Sequence, residues 1–325
     1  MTDTLTIERA DAKTRATSRT AVRRGRRNRG PAWEEPPTVV GQTAKGATLV
    51  VVLAVVLVPL WIIVVTSLST QAAVNRAGGL VLWPDGLTIE AYRVMLADVT
   101  VRNALLVSLG ITVVGTAVSM VVSILCAYGL SRSNSLGHRI LLVLLIITMF
   151  VNGGLIPTFL VVTGLGGYGQ WWSLILPGAV SVFNILVLRS FYSQTSVDLI
   201  EAARIDGAGD WRTLWSIVLP TSRAVTAVIA LFYGVGYWNS FFNVMLYMPT
   251  DSEKWPLQYV LLTYVNRGNG MPGSVNSGFG SQFAQTAPLS LQMAVVVLTL
   301  VPLLLVYPFM QKHFRVGVLT GAIKG

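Results

Sequence analysis

Five long stretches of the chain carry no Asp, Glu, Lys or Arg: 46–75, 103–131, 140–188, 224–250 and 268–311. A helix needs about 20 predominantly apolar residues to cross a bilayer, so each stretch holds at least one crossing. The third is long enough for two, and the cluster Gly164, Gly166, Gly167 and Gly169 at its middle supplies a turn. The fifth opens with a polar, glycine-rich run, which leaves only its second half for burial. The pattern predicts six spanning helices at about 47–68, 103–130, 139–162, 172–191, 220–248 and 288–311, an all-α polytopic membrane protein.

Composition agrees with that reading. With 53% hydrophobic and 12% charged residues, the chain has too little polar surface for a soluble fold of its length. Basic residues near span ends stay on the cytoplasmic side. With the N-terminus inside, all Lys and Arg except Arg76, Arg93, Arg102, Lys254 and Arg267 fall in cytoplasmic segments. Both termini and the segment from 190 to 220 are then cytoplasmic. The division is a basic arm at 1–45, a transmembrane domain at 46–311 that includes a cytoplasmic loop at 193–220, and a cytoplasmic tail at 312–325. The cluster from Arg23 to Arg29 suits a disordered arm touching anionic lipid; without interleaved aromatics it makes a poor nucleic-acid site. About 45 polar residues precede the first apolar stretch, so that stretch reads as an uncleaved anchor and not a signal peptide.

The spans are as informative for what they omit. Ion-coupled carriers place ionisable side chains within their spans, and the six cores have none. No Gly-x-x-x-x-Gly-Lys-Ser/Thr loop occurs, so the chain lacks that means of holding a nucleotide. The two histidines, His138 and His313, sit at helix ends, where a protonatable ring complements basic flanks or the helix dipole. Neither has a Cys or second His at ligand spacing, so no metal site is expected. Asp251 and Glu253 beside Lys254 read as a solvated turn, and the lone Cys126 as packing.

One island interrupts the apolar pattern, from Glu201-Ala202-Ala203-Arg204-Ile205-Asp206-Gly207 to Leu219-Pro220. Thr195 and Asp198 are spaced as a capping box for a short helix ending near Ile205. Glu201 is free to meet a partner arginine, and the small Ala202 and Ala203 let another surface approach the backbone. Gly207 permits a sharp turn. A second helix follows from Asp210 to Leu219, with Trp211, Leu214, Trp215 and Val218 at helical spacing. By composition alone this is either a docking device or an amphipathic hairpin lying on the bilayer.

The ordered elements Glu201-Ala202-Ala203, Asp206-Gly207 and Leu219-Pro220 resemble the "EAA" loop of permease subunits in bacterial ATP-driven importers. Residues 103–130, ending Ala127-Tyr128-Gly129-Leu130-Ser131-Arg132, are similar to the second helix of sugar-importer permeases. Asn152-Gly153-Gly154-Leu155-Ile156-Pro157-Thr158 and Leu176-Pro177-Gly178-Ala179 resemble the subgroup for oligosaccharide and polysaccharide-derived substrates. The ending from Tyr307-Pro308-Phe309 to Lys324-Gly325 is similar to the maltose-type permease whose tail reaches its ATPases. The resemblance covers about 47–325 and implies a type I importer fold in the bacterial cytoplasmic membrane. It implies a second homologous permease, two ATPase subunits, an external solute-binding protein and a carbohydrate substrate. ATP and magnesium belong to the ATPases; this chain holds no cofactor. Ser196 and Asp198 stand where the family commonly has proline and glutamate, a departure that bears on rigidity more than on docking.

Sugar recognition needs hydrogen-bonding groups and aromatic faces. The fifth span offers Tyr233, Tyr237, Trp238, Asn239 and Asn243, with each pair four residues apart sharing a helix face. Asn152, beside Gly153, Gly154 and Pro157, marks a broken helix in the third. These residues either line a translocation path or bind helix to helix through side-chain hydrogen bonds. A membrane enzyme or a scaffold without transport activity stand as alternatives.

Overall fold

The computed structural model describes residues 38–132, 137–151, 153–194, 197–267 and 288–322. Among them the chain is helical apart from turns and one isolated antiparallel bridge, Ser69 with Leu87. Helix α1 (Val39–Ser67) is followed by two short helices, α2 (Gln71–Arg76) and α3 (Glu90–Ala97). The long α4 (Val99–Ser131) comes next, then α5 (His138–Phe150) and α6 (Leu155–Gly164). Helix α7 (Trp172–Gly178) and α8 (Val182–Ser193) form one bent span. The island supplies α9 (Val197–Ile205) and α10 (Asp210–Thr221). The chain continues through α11 (Arg223–Trp238), α12 (Phe242–Tyr247), α13 (Leu257–Arg267) and α14 (Pro288–Ala322). Residues before Leu60 contribute the first part of α1, a separate unit from Leu60 onward.

Three helices cross a membrane by length and composition, α1, α4 and the Leu289–Pro308 part of α14. Three bent pairs bring the count to as many as six: α5 with α6 at 113°, α7 with α8 at 52°, and α10 with α11 at 87°, the last contributing α11 as the span and α10 as the island beside it. Two expectations are corrected. The fifth span is not one helix over 220–248. It starts after the bend at Ser222 and stops at Trp238, leaving Asn239 to Phe241 between α11 and α12. The Asn239 side chain bonds back to the Val235 carbonyl at 2.9 Å, a local capping contact that competes with continuing the ladder. His138 opens α5 at its N-terminal end, where the dipole is positive and does not favour a cationic ring.

The core is organised on α4. Asp98 caps it by accepting from the Thr100 and Val101 amides at 2.7 and 3.2 Å. One buried stripe along it reads Ser108, Ile111, Gly115, Ser119, Ser123 and Ala127. Such small residues let a second helix come close, the usual basis of helix association in lipid. The partner is α11, whose buried residues Val225, Ile229, Tyr233 and Tyr237 recur every fourth position. Gly115 is required there: a Cβ on it would lie 2.9 Å from the Tyr237 ring.

Two tyrosines fasten this packing and serve a neighbouring span at the same time. Tyr237 donates its hydroxyl proton to the Ile175 carbonyl at 2.9 Å and so accepts from Ser119 at 2.8 Å. The Tyr233 hydroxyl accepts the Ser181 amide at 3.1 Å and pairs with Ser123 at 2.7 Å. Ile175 and Ser181 flank the break between α7 and α8, where Pro177 interrupts the ladder. A broken helix inside a bilayer must have its freed backbone groups satisfied by neighbours, and these hydroxyls do so.

Candidate functional site

The island is a helix, a turn and a helix in which each residue type has a geometric reason. Helix α9 ends in a Schellman turn: the Ala208 amide donates to the Ala203 carbonyl at 2.8 Å and the Gly207 amide to Arg204 at 3.0 Å. Gly207 takes φ +77°, a conformation closed to proline and strained for other side chains. The three-residue interval between Ala203 and Gly207 is thus the interval of the capping motif itself.

The far helix carries a second irregularity. From Leu214 to Val218 the backbone widens into a π turn, with the Leu219 amide reaching the Leu214 carbonyl. Pro220 has no amide to donate, and in a regular helix its ring would press on the carbonyl four residues back; the wider turn makes room for it. Thr221 covers the Ile217 carbonyl with its hydroxyl at 2.7 Å. Helical spacing alone put Trp211, Leu214, Trp215 and Val218 on one face. In the structure only Leu214 and Val218 are buried, and both tryptophans are more than 60% exposed.

Glu201, Ala202, Asp206, Gly207 and Pro220 are exposed, while Ala203 and Leu219 are half-buried. Leu199 and Ile205 add apolar surface, Ile205 at 87% exposure. Thr195 and Ser196, assigned to the start of this helix, lie outside the described residues, as does Asn152.

What holds the island was not anticipated. At the last turn of α4, the Tyr128 hydroxyl donates to the Asp210 carbonyl at 3.0 Å and Arg132 pairs with the Asp210 carboxylate at 2.8 Å. Arg132 also donates to the Tyr128 hydroxyl, and its guanidinium lies 4.6 Å from that ring's centroid. The sequence signal was the pair Tyr128 and Arg132, four apart and hence on one helix face. Their partner, 78 positions further on, was not readable. One side of α10 is therefore fastened to the membrane domain while α9 presents its surface outward.

The second feature is a cavity of about 280 Å³ among α7, α8, α11 and the segment that follows it. Its polar wall is Ser181, Asn184, Ser240 and Asn243, and its aromatic wall is Phe232 with the two tyrosine rings. No charged side chain lines it. The hydroxyls of Tyr233 and Tyr237 are already engaged at the α7–α8 break, so their rings are what they offer the cavity. Asn243 reaches it; Asn239 and Trp238 do not line it. Because the helix ends between them, Asn239 and Asn243 do not share a helix face. Asn239 is exposed and its carbonyl accepts from Gln258 at 3.4 Å, whereas Trp238 is buried with its indole N–H on the Thr299 carbonyl at 3.0 Å. Among the described residues no group of His, Cys, Asp and Glu could hold a metal ion.

A family model described as the inner membrane component of binding-protein-dependent transport systems matches residues 119–319, a stretch that contains the island and the cavity. The chain belongs to that family. The permease is 44% identical over 246 residues to a polygalacturonan/rhamnogalacturonan transport system permease of Bacillus subtilis (strain 168), covering 75% of this chain and 85% of the relative. It is 39% identical over 272 residues to protein LplC of the same organism, covering 84% and 90%. Its fold is similar, at a TM-score of 0.79 and 28% identity, to a chain from the crystal structure of a bacterial ABC transporter involved in the import of the acidic polysaccharide alginate. That match covers 87% of this permease and all of the other chain. The permease is accordingly a multi-pass membrane subunit of an ABC importer, and the reading as a membrane enzyme is set aside.

Proposed function

We propose that the permease is one of two homologous membrane subunits that form the path of an ATP-driven carbohydrate importer, with oligosaccharides derived from polysaccharides as cargo. The named substrates of its relatives support this class: polygalacturonan and rhamnogalacturonan for one, the acidic polysaccharide alginate for another. In this reading a solute-binding protein delivers the sugar, and two separate ATPase subunits, holding ATP and magnesium, dock on the island from the cytoplasm. Both chain termini lie on that side, and the protein resides in the bacterial cytoplasmic membrane.

The island's geometry carries the proposal. Glu201, Ala202, Ala203, Asp206 and Gly207 form the gripped end, Leu219 and Pro220 the joint to α11, and Tyr128 and Arg132 transmit displacement to α4. Movement of α11 then alters the cavity that it lines, where Asn243, Asn184 and the rings of Tyr233 and Tyr237 meet sugar hydroxyls and faces. Asn239 and Trp238 stand beside the same route. The test is uptake of labelled oligosaccharide into proteoliposomes holding the full complex, with ATP hydrolysis measured in parallel. Asn243→Leu should raise the KM for uptake while ATP hydrolysis continues. An unchanged KM would remove Asn243 from the path.

A further inference from the structure

The segment between α2 and α3 exposes five large apolar side chains, Leu80, Leu82, Trp83, Leu87 and Ile89, each more than half exposed. A loop in water would not be built this way, yet its backbone is firmly placed. The Val81 amide donates to the Thr66 hydroxyl at 3.0 Å, and the Val81 side chain is buried with Val65, Val74 and Leu289. The Trp61 indole donates to the Leu82 carbonyl at 3.0 Å, Leu87 bridges to Ser69, and Arg76 pairs with Asp85 at 2.8 Å.

These contacts fix the depth of the segment. Trp61 lies six residues before the end of α1, about 9 Å along the helix axis. Leu289 begins the apolar part of α14. The loop therefore folds back beside the span, and its apolar tip stands level with the end of the hydrocarbon region. Its exposed side chains also continue the exposed apolar surface of α1 at Leu60, Trp61 and Val64. Counting spans, this is the membrane face opposite the island.

We propose that residues 80–89 form an interfacial anchor, with Leu80, Leu82 and Trp83 immersed in the lipid at the headgroup boundary and the Arg76–Asp85 pair at headgroup level. Tryptophan is favoured at that depth, and an apolar face buried shallowly in the interface is a recognised mode of lipid attachment. The anchor would hold the first span against the sixth while the other spans rock.

The test places a nitroxide label at Leu82→Cys or Trp83→Cys in a Cys126→Ser background. The full transporter, with the subunits that copurify, is reconstituted in phosphatidylethanolamine–phosphatidylglycerol nanodiscs. Collision rates with oxygen and with a water-soluble nickel chelate are compared with Val51→Cys, inside the α1 span, and Glu253→Cys, in a polar loop. Lipid immersion predicts oxygen access several-fold above nickel access at both positions, as at Val51. Low access to both reagents would mean that the second permease covers the patch and would overturn the proposal. Nickel access matching Glu253 would overturn it too, by placing the segment in water.

Discussion

Helix α4 is joined to the stretch from Asp210 to Trp238 at two places, and they are built on opposite terms. Within the membrane, Gly115, Ser119 and Ser123 receive two buried tyrosines whose hydroxyls bond the buried Ser119 and Ser123. At the island face, Tyr128 and Arg132 hold Asp210, whose side chain is 71% exposed. Removing a partner from the first leaves stranded polar groups, at about 1–3 kcal/mol each. Water can reach the Asp210 side of the second, although the Arg132 side chain is only 22% exposed, and ion pairs open to solvent contribute about 0–1 kcal/mol. The difference assigns stability to the intramembrane joint and leaves the island joint as the one that, in the proposed function, passes motion on.

The largest effect that would probe this division is at the turn. Gly207→Pro forces φ to the wrong sign and deletes the amide bonded to Arg204; uptake should fall to background while membrane insertion stays intact. Normal uptake by this variant would sink the coupling role. Next comes Gly115→Leu, which drives a side chain into the Tyr237 ring. Overpacking of this kind costs about 1–3 kcal/mol, so the Tm in detergent should drop by several degrees.

Tyr237→Phe should cost a similar or smaller amount, about 1–2 kcal/mol, by uncovering the Ile175 carbonyl. If its hydroxyl serves only the helix break, the KM for sugar stays unchanged, in contrast to Asn243→Leu. The smallest effect on stability belongs to Arg132→Ala: Tm within a degree of the parent, with ATP hydrolysed per sugar transported rising several-fold. A large drop in Tm for this variant would erase the distinction between the two joints.

What the sequence disclosed follows from the range over which each signal acts. The spans are set by runs of apolar residues, and the Gly207 turn by one residue whose conformation few others can adopt, so both were readable locally. The end of α11 was not: Asn239-Ser240-Phe241 contains neither proline nor glycine, and the charge-free stretch runs straight through it. Nor could periodicity separate Leu214 and Val218 from the tryptophans beside them, because a half-turn decides which pair faces the bundle. The tyrosine–serine pairs and the Asp210 contacts join residues 78 to 118 positions apart. A single sequence carries no mark of such pairings, and they are what commits the hydroxyls of Tyr233 and Tyr237 to the helix break and leaves only their rings for the cavity.

The 87° bend at Ser222 makes α10 and α11 a bell crank. The twelve residues of α10 give an input arm of about 18 Å and the sixteen of α11 an output arm of about 24 Å, at 1.5 Å per residue. With the pivot at the bend, the mechanical advantage is close to one. A displacement of about 3 Å at the Gly209 end becomes a swing of about 4 Å near Trp238, by that same ratio of helix lengths. Under the proposed coupling such a device would redirect a stroke and barely amplify it, so the motor's travel and the width of the gate would be of similar size.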